Sequence, residues 1–503
     1  MPTSDTNQMH SITPAFFGRR QIFTSIEDIT ADNVISIVNE SLVLHCQNIL
    51  EEEYLYWYRR GLHPILGRKK QVRPEINNKV VENHADESVA FKNGYFLTQP
   101  AFYICRSDDE ATMDKVKLLN EYLYRSGKQQ ADNEVVDWFH TVGKAAIFVQ
   151  PKDDKDIPVE VFALDPRRAF VVYSLKPGNR PVMGVNMVID GNRIVLDVFT
   201  ERNIFHLLGG VRGRAITNEP IEATAVSVES VEPNRLGRVP IIEYQYNSVN
   251  MGAFESVISL LDAIDEVASN RIDGIEQFIQ SLLVFYNCQL GDDEDGNAIT
   301  PAYIREAGAI FLKSIGQDRA DLKELSSQLD QTQTQVLVDY MYQQVLTICG
   351  MPTTTKGGSS TSDTGAAVLA RDGWYQADTV ARNTEDLFRK SNRYFDELFL
   401  EILRVKTDLD LRLTDIELHF VRNETANIQS KAQALNTLLA SGVAPTLAFA
   451  WSGVSKDPQA DVAASDKYIK MRWGDPNAPI EQPTTEIIEQ DRNTGDNETG
   501  GAV

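Results

Sequence analysis

The chain is poor in cysteine and histidine. Its four cysteines, Cys46, Cys105, Cys288 and Cys349, stand far apart with no C-x-x-C pair. That removes the common zinc and dithiol patterns and any disulfide framework, and fits a reducing compartment. Of the seven histidines, His10, His45, His63, His140, His206 and His419 are isolated, and only His84 has acidic neighbours, Glu82, Asp86 and Glu87; one such cluster is a poor basis for a metal site. No uncharged run approaches the ~18 residues of a membrane span, and the polar start "MPTSDTNQMHSITPAFFGRR" lacks the apolar core of a signal peptide. There is no G-x-x-x-x-G-K-[ST], since Lys356 precedes Gly357 and Gly358 instead of following them, and no G-x-S-x-G elbow. "GDDEDGNA" sets Asp293, Asp295 and Gly296 at the third, fifth and sixth places of a calcium loop, but Gly291 and Ala302 at its first and twelfth, so we read a solvated turn. We expect no catalytic residue, no metal and no cofactor.

Positive charge is also short. Against 72 Asp and Glu stand 49 Lys and Arg, a formal charge of -23, which opposes any protein that grips nucleic acid by neutralising phosphates. The 503 residues, 42% of them hydrophobic, suffice for about three folded domains. Two stretches depart from the average. "YRRGLHPILGRKKQVRP" gathers Arg59, Arg60, Arg68, Lys69, Lys70 and Arg73, either a solvated loop or a contact surface. The end, "GDPNAPIEQPTTEIIEQDRNTGDNETGGAV", has the composition of a disordered acidic tail.

Periodicity predicts helices between about 110 and 145, through Val116, Leu119, Tyr122, Leu123, Val135, Val136 and Phe139, then a buried strand at Ala146 to Val149. A β block follows to about 246, with an Asp190-Gly191 hairpin signal. Phe254, Val257, Ile258, Leu261, Ile264, Ala268, Ile272, Ile275 and Ile279 mark one apolar face of a helix over 253–281. After a small α+β insert with a turn near Asp295-Gly296, a second helix runs from about Gln328 to Ile348. A third, about 363–405, carries Val368, Leu369, Tyr375, Val380, Leu387, Phe388, Phe395, Leu398, Phe399, Ile402 and Leu403, with Gly373 as a possible kink. "LDLRLTDIELHFVRN" reads as a strand or two, and short helices follow it.

Between the second and third helices lies "ICGMPTTTKGGSSTSDTGAAVLARDGWYQ". Gly350 and Pro352 stop one helix, and Ser362, Asp363 and Thr364 can cap the next. A loop this long inside a folded domain is a linker or a working part.

This order of parts, with "NNKVVENHADESVAFKNGYFLTQP" (a K-x-G-Y-x-x-x-x-P pattern), "GRVPII" before the first long helix and "SKAQALNTLLASGVAP" near the end, resembles the portal proteins of tailed double-stranded DNA bacteriophages, most closely those of long-tailed phages of Gram-positive hosts. The resemblance covers about residues 75 to 470. It implies an α+β, multi-domain subunit with wing, stem, clip and crown, assembling into a ring, typically a dodecamer, at one capsid vertex. Residues 1–50 would be a partly disordered N-terminal arm, 51–252 the wing, 253–281 and 328–349 the stem helices, 282–327 the clip, 350–364 the tunnel loop, 365–423 the long wing helix and its strands, 424–473 the crown, and 474–503 the acidic tail.

The same resemblance implies that Thr353, Thr354, Thr355, Lys356, Gly357, Gly358, Ser359, Ser360 and Thr361 line a channel for double-stranded DNA, passed without sequence specificity. Asp292, Asp293, Glu294, Asp295 and Arg305 would face the partners of the clip, the terminase large subunit and the head-tail adaptor protein. Major capsid and scaffold proteins complete the partners; the chain would be made in the host cytoplasm and end in the virion. Two alternatives stay open. Asp262, Asp265, Glu266 and Asp273 fall near one face of the first long helix and would suit a Mg²⁺-dependent DNA-processing enzyme; or the chain builds a structural ring or adaptor that never conducts DNA.

Overall fold

A computed structural model describes residues 18–107, 109–212, 222–279, 282–286, 288–290, 312–314, 321–325, 331–353, 373–420, 428–455 and 458–473. The chain is α+β and divides into two compact units, Met1–Glu424 and Thr425–Val503.

In the first unit, strand β1 (Ile22–Thr24) leads to helix α1 (Val34–Arg59). Residues 18–50 are thus not an arm: Ile22, Val34, Ile37, Val38, Leu42, Cys46 and Ile49 are core residues, and the expected boundary at residue 50 falls inside α1. Arg19 is buried, with Nη2 donating to Glu255 Oε1 at 2.5 Å and Nη1 to the Val142 carbonyl. Helix α2 (His84–Phe96), capped by the Asn83 side chain, is followed by β2 (Phe102–Cys105), α3 (Glu110–Arg125) and α4 (Lys128–Val142).

The β block then runs through β3 (Lys144–Pro151), β4 (Val159–Leu164), β5 (Ala169–Ser174), β6 (Pro181–Asp190), β7 (Arg193–Thr200), β8 (Asn203–Arg212), β9 (Glu222–Pro233) and β10 (Ile241–Gln245). One six-stranded sheet has the order β1-β5-β6-β7-β8-β9, and a three-stranded one β10-β3-β4. Only the β1–β5 pair of the large sheet is parallel. The hairpin signal holds: Asp190 pairs with Arg193 across a two-residue turn. Inward-facing Phe170, Val172, Met183, Val185, Leu196, Val198, Phe205 and Leu207 close on α1, as alternation on a half-buried sheet requires.

Helix α5 (Ile258–Ile279) begins later than expected, because Glu255–Val257 is a 3₁₀ turn. Beyond it lie β11 (Leu282–Tyr286), β12 (Cys288–Leu290), β13 (Leu312–Ser314) and β14 (Asp321–Leu325), pairing antiparallel as β11–β14 and β12–β13; the turn expected near residues 295 and 296 is outside the described residues. Helix α6 (Gln331–Ile348) returns against α5. Helix α7 (Trp374–Thr407) is 34 residues long, about 51 Å at 1.5 Å per residue. Its buried side chains, Ala377, Ala381, Thr384, Phe388, Asn392, Phe395, Phe399 and Ile402, keep the three-and-four spacing, whereas Tyr375, expected on that face, is exposed. Gly373 is not a kink but the residue preceding α7, at φ 79°. Val368 and Leu369 lie outside the described residues. Strand β15 (Ile416–His419) pairs with β2.

The second unit holds α8 (Ile428–Ala440), α9 (Pro445–Ser452) and α10 (Pro458–Trp473). No helix among the described residues is long and apolar enough to cross a membrane.

Candidate functional site

The acidic face of α5 is covered by the chain's own segment 58–82. Tyr58 donates to Asp262 Oδ1 at 2.9 Å, His63 Nδ1 lies 2.5 Å from Asp265 Oδ2, and the Glu82 amide donates to Asp265 Oδ1 at 2.7 Å. Farther along, the Val80 amide bonds Ser269 Oγ and Arg68 reaches Asn270. Asp273 accepts from Lys70 Nζ at 2.8 Å and from the Asn78 backbone amide at 2.7 Å and side-chain amide at 2.9 Å. Burial alone would raise the Asp273 carboxyl, but Lys70 and Asn78 outweigh it and hold it below the usual carboxylate value.

The basic run is therefore a contact surface, and its partner lies in the same subunit. Arg59 bridges Asp86 and Asp137 at 3.0 and 2.7 Å, and Arg60 lies over the Tyr56 ring. The row proposed for Mg²⁺ does not converge: Asp262, Asp265 and Asp273 each face a different donor along the belt, and Glu266 is exposed. No cluster of three or more candidate ligands exists among the described residues. His84 likewise sits in a protein contact: its Nδ1 lies 2.7 Å from Glu87, its ring lies tilted against Tyr342 with centres 4.4 Å apart, and the Tyr342 hydroxyl donates to the other oxygen of Glu87. Burial pulls its pKa down, but Glu87 and Glu82 prevail and raise it.

The second feature is the root of the loop. At the end of α6, Lys92 Nζ donates to the Cys349 carbonyl at 2.6 Å and lies 5.6 Å from the centre of the Tyr246 ring. The Gly350 amide bonds the Thr347 carbonyl and the Met351 amide the Leu346 carbonyl, a C-terminal closure that needs Gly350 at φ 65°. The chain after the loop comes back to the same place. Gln376 donates to the Thr347 carbonyl at 3.2 Å, and a Cβ built on Gly373 would lie 3.8–3.9 Å from atoms of Met351, Pro352 and Thr353. Thr353 and Gly373, which flank residues 354–372, therefore lie close together where α2, α6 and α7 meet.

Of the loop residues named from sequence, Thr353 is described and half-buried at this root; Thr354, Thr355, Lys356, Gly357, Gly358, Ser359, Ser360 and Thr361 lie outside the described residues. So do Asp292, Asp293, Glu294, Asp295 and Arg305. Sequence reasoning passed over two of the root's anchors, Lys92 and Tyr246, and took the third, Gly373, for a kink. A signal was there: Lys92 opens the "KNGY" pattern and Tyr246 is the next-to-last residue of "GRVPIIEYQYN", and the structure brings the two together. In the same pattern Asn93 donates to Asp137 and meets His140 Nδ1 at 2.7 Å, while Tyr95 and Phe91 stack and pack on Trp374, the first residue of α7.

Residues 45–471 match the family model described as phage portal protein, SPP1 Gp6-like. Among solved structures, the chain is similar to one in "Neck of empty GTA particle computed with C6 symmetry", at 12% identity and a TM-score of 0.40, over 74% of this chain and 90% of that one. No curated protein sequence matches it.

Proposed function

The chain belongs to the SPP1 Gp6-like phage portal proteins, structural proteins of the virion capsid that form rings and meet other head and tail components, and from that premise we propose how this chain divides the work. Roughly twelve copies close a ring by a repeated heterologous contact, with α5 and α6 as the stem, 282–327 as the clip, 18–252 and 365–423 as the wing and 424–473 as the crown. Double-stranded DNA passes through, during packaging and ejection, without base readout. Residues 350–364 form the tunnel loop, with Lys356 its one cation amid Thr353, Thr354, Thr355, Ser359, Ser360 and Thr361. Asp292, Asp293, Glu294, Asp295 and Arg305 meet the terminase large subunit and the head-tail adaptor, and capsid and scaffold proteins surround the wing and crown.

The observation that carries this reading is the loop root. Thr353 and Gly373, the described residues nearest the loop on either side, lie together beside the Lys92–Cys349 and Gln376–Thr347 hydrogen bonds, which gives the proposed tunnel loop a single base. A surplus of negative charge across the chain opposes firm phosphate contacts, each of which would add salt-dependent affinity and so drag. We assign no catalysis to the chain. Energy for packaging then comes from a partner, as the sequence has no phosphate-binding loop, and the carboxylates considered for Mg²⁺ are engaged by Tyr58, His63 and Lys70.

Native mass measurement of the purified chain, with negative-stain images of the same sample, tests the reading. Closed rings with a central hole are expected. Protomers that cleave DNA with Mg²⁺ would overturn it in favour of the enzyme.

A further inference from the structure

The contacts that the basic segment makes within its own subunit leave part of it uncommitted. Residues 66–79 carry five cations, Arg68, Lys69, Lys70, Arg73 and Lys79, against one acid, Glu75, on a chain of formal charge -23. The salt bridges of this stretch are those of Lys70 and Arg68 to Asp273, at 2.8 and 3.4 Å. Glu276 accepts from Asn78, and Lys79 donates to the Leu66 carbonyl. Lys69 is exposed, and among the described residues neither it nor Arg73 meets a carboxylate.

This stretch is also held in shape. The Asn77 side chain donates to the Arg68 carbonyl at 3.1 Å and the Ile76 amide to the Arg73 carbonyl at 3.0 Å, so residues 68–77 close on themselves, with Ile76 buried. Arg73 takes φ 51°, a backbone that non-glycine residues seldom adopt. Inside the closed loop, Arg68 Nη1 and Arg73 Nη1 are both shielded from solvent and have no acceptor among the described residues. A buried guanidinium N–H without an acceptor is unfavourable, so the loop holds donors in place for an acceptor that comes from elsewhere. The guanidinium fork matches a carboxylate. A phosphate would meet the same donors, but Val72, which stands between the two arginines in sequence, is 78% exposed. A nucleic-acid backbone gives such a side chain nothing, whereas an apolar residue beside the carboxylate removes it from water.

We propose that residues 68–73 bind an acidic peptide segment of a partner protein, which sets a carboxylate on Arg68 and Arg73, a second one against Lys69 and an apolar side chain on Val72. The surplus of negative charge over the rest of the chain repels such a segment elsewhere and so steers it to this loop. The inference uses neither the ring nor the channel.

Fluorescence anisotropy on the full chain tests it with three labelled probes: a short peptide of Asp, Leu and Gly, the same peptide with Ser in place of Leu, and a short DNA duplex. The Asp/Leu peptide is expected to bind the wild type about fivefold more tightly than the Asp/Ser peptide, and more weakly as salt is raised. Lys69→Ala and Arg73→Ala should each weaken it by about tenfold, and Val72→Ser should erase the preference for Leu. Urea midpoints of the three variants, expected to match the wild type, separate lost binding from a lost fold. No binding of the Asp/Leu peptide to the wild type, or equal binding to all three variants, overturns the proposal. Tighter binding of the duplex, lost in the same variants, would make the loop a phosphate contact and overturns it as well. Binding is read on the chain in whatever oligomeric form it takes, so each of these results leaves the portal reading intact.

Discussion

The ammonium of Lys92 lies 2.6 Å from the Cys349 carbonyl oxygen, placing a buried cation at the C-terminal end of α6. It faces the negative pole of that helix and a carbonyl with no partner in the next turn, an arrangement worth more than a surface contact. Replacing it by methionine keeps the stem and removes both interactions. Lys92→Met should lower unfolding stability by about 1–3 kcal/mol, read by urea denaturation of the full chain. A wild-type midpoint for Lys92→Met would dismiss the anchor.

Asp273 joins α5 to the basic belt through Lys70 and Asn78. Its carboxyl titrates below its ordinary value in the folded chain, so its contribution is complete above the unfolded carboxyl pKa and disappears as pH falls through the lower, folded one. Asp273→Asn keeps the shape but leaves Lys70 and Arg68 without their shared counter-charge. The expected loss is about 1–3 kcal/mol at neutral pH, shrinking toward nothing in acid. Identical denaturation profiles for variant and wild type at pH 7 would show that the belt does not depend on this charge.

Glu52 behaves in the opposite sense. It is fully buried, neither carboxyl oxygen has a hydrogen-bond partner, and burial raises its pKa to about 7, with Lys144 and Arg19 only partly offsetting this. The folded state therefore holds a proton that the unfolded chain has released. Stability is fully present below the unfolded value, near pH 4.5, and declines as pH rises toward 7, by on the order of 3 kcal/mol at most. Glu52→Gln should abolish that slope and be more stable than wild type at pH 8. A variant that retains the wild-type pH dependence would place the titrating group elsewhere.

How much of this was legible beforehand follows from where each interaction partner lies in sequence. The apolar face of α5 was readable at Ile258, Leu261, Ile264 and Ala268, all buried, because the neighbours that create helical periodicity are local. Its continuation through Ile272 and Ile275 was equally readable, yet these are 43% and 47% exposed: period identifies a face but not what covers it. Helix α1 was missed because Ser41, His45, Asn48 and Glu52 are buried among its apolar residues, and polar core residues erase the stripe. The belt was half legible. Its charge stood out, but Arg59 meets Asp137 78 positions on and Lys70 meets Asp273 203 positions on, and no spacing rule reaches that far.

For the loop, the charge of Lys356 is the testable element. If Lys356 lies in a tunnel loop as proposed, Lys356→Ala should leave ring assembly unchanged, since in that reading the residue serves the passage and not the fold. DNA packaging or ejection should change, as repeated cations can centre a duplex that uncharged side chains cannot. Assembly, packaging and ejection all at wild-type levels would withdraw the loop assignment without touching the ring.

Gly350 and Gly373 both sit at positive φ, 65° and 79°, but their surroundings differ. A Cβ on Gly373 would make ordinary contacts at 3.8 Å or more, whereas one on Gly350 would lie 2.9 Å from Val380 Cγ2. Gly373→Ala should therefore cost only the left-handed backbone strain, about 1–2 kcal/mol. Gly350→Ala should cost that and the displacement of Val380 as well, by roughly a further 1 kcal/mol. Val380→Ala tests the difference: added to Gly350→Ala it should recover the packing part and leave the backbone part. If both glycine variants lose equal stability and Val380→Ala rescues neither, then Gly350 does not meet α7 at the loop root, and the fixed base proposed for the loop is lost with that contact.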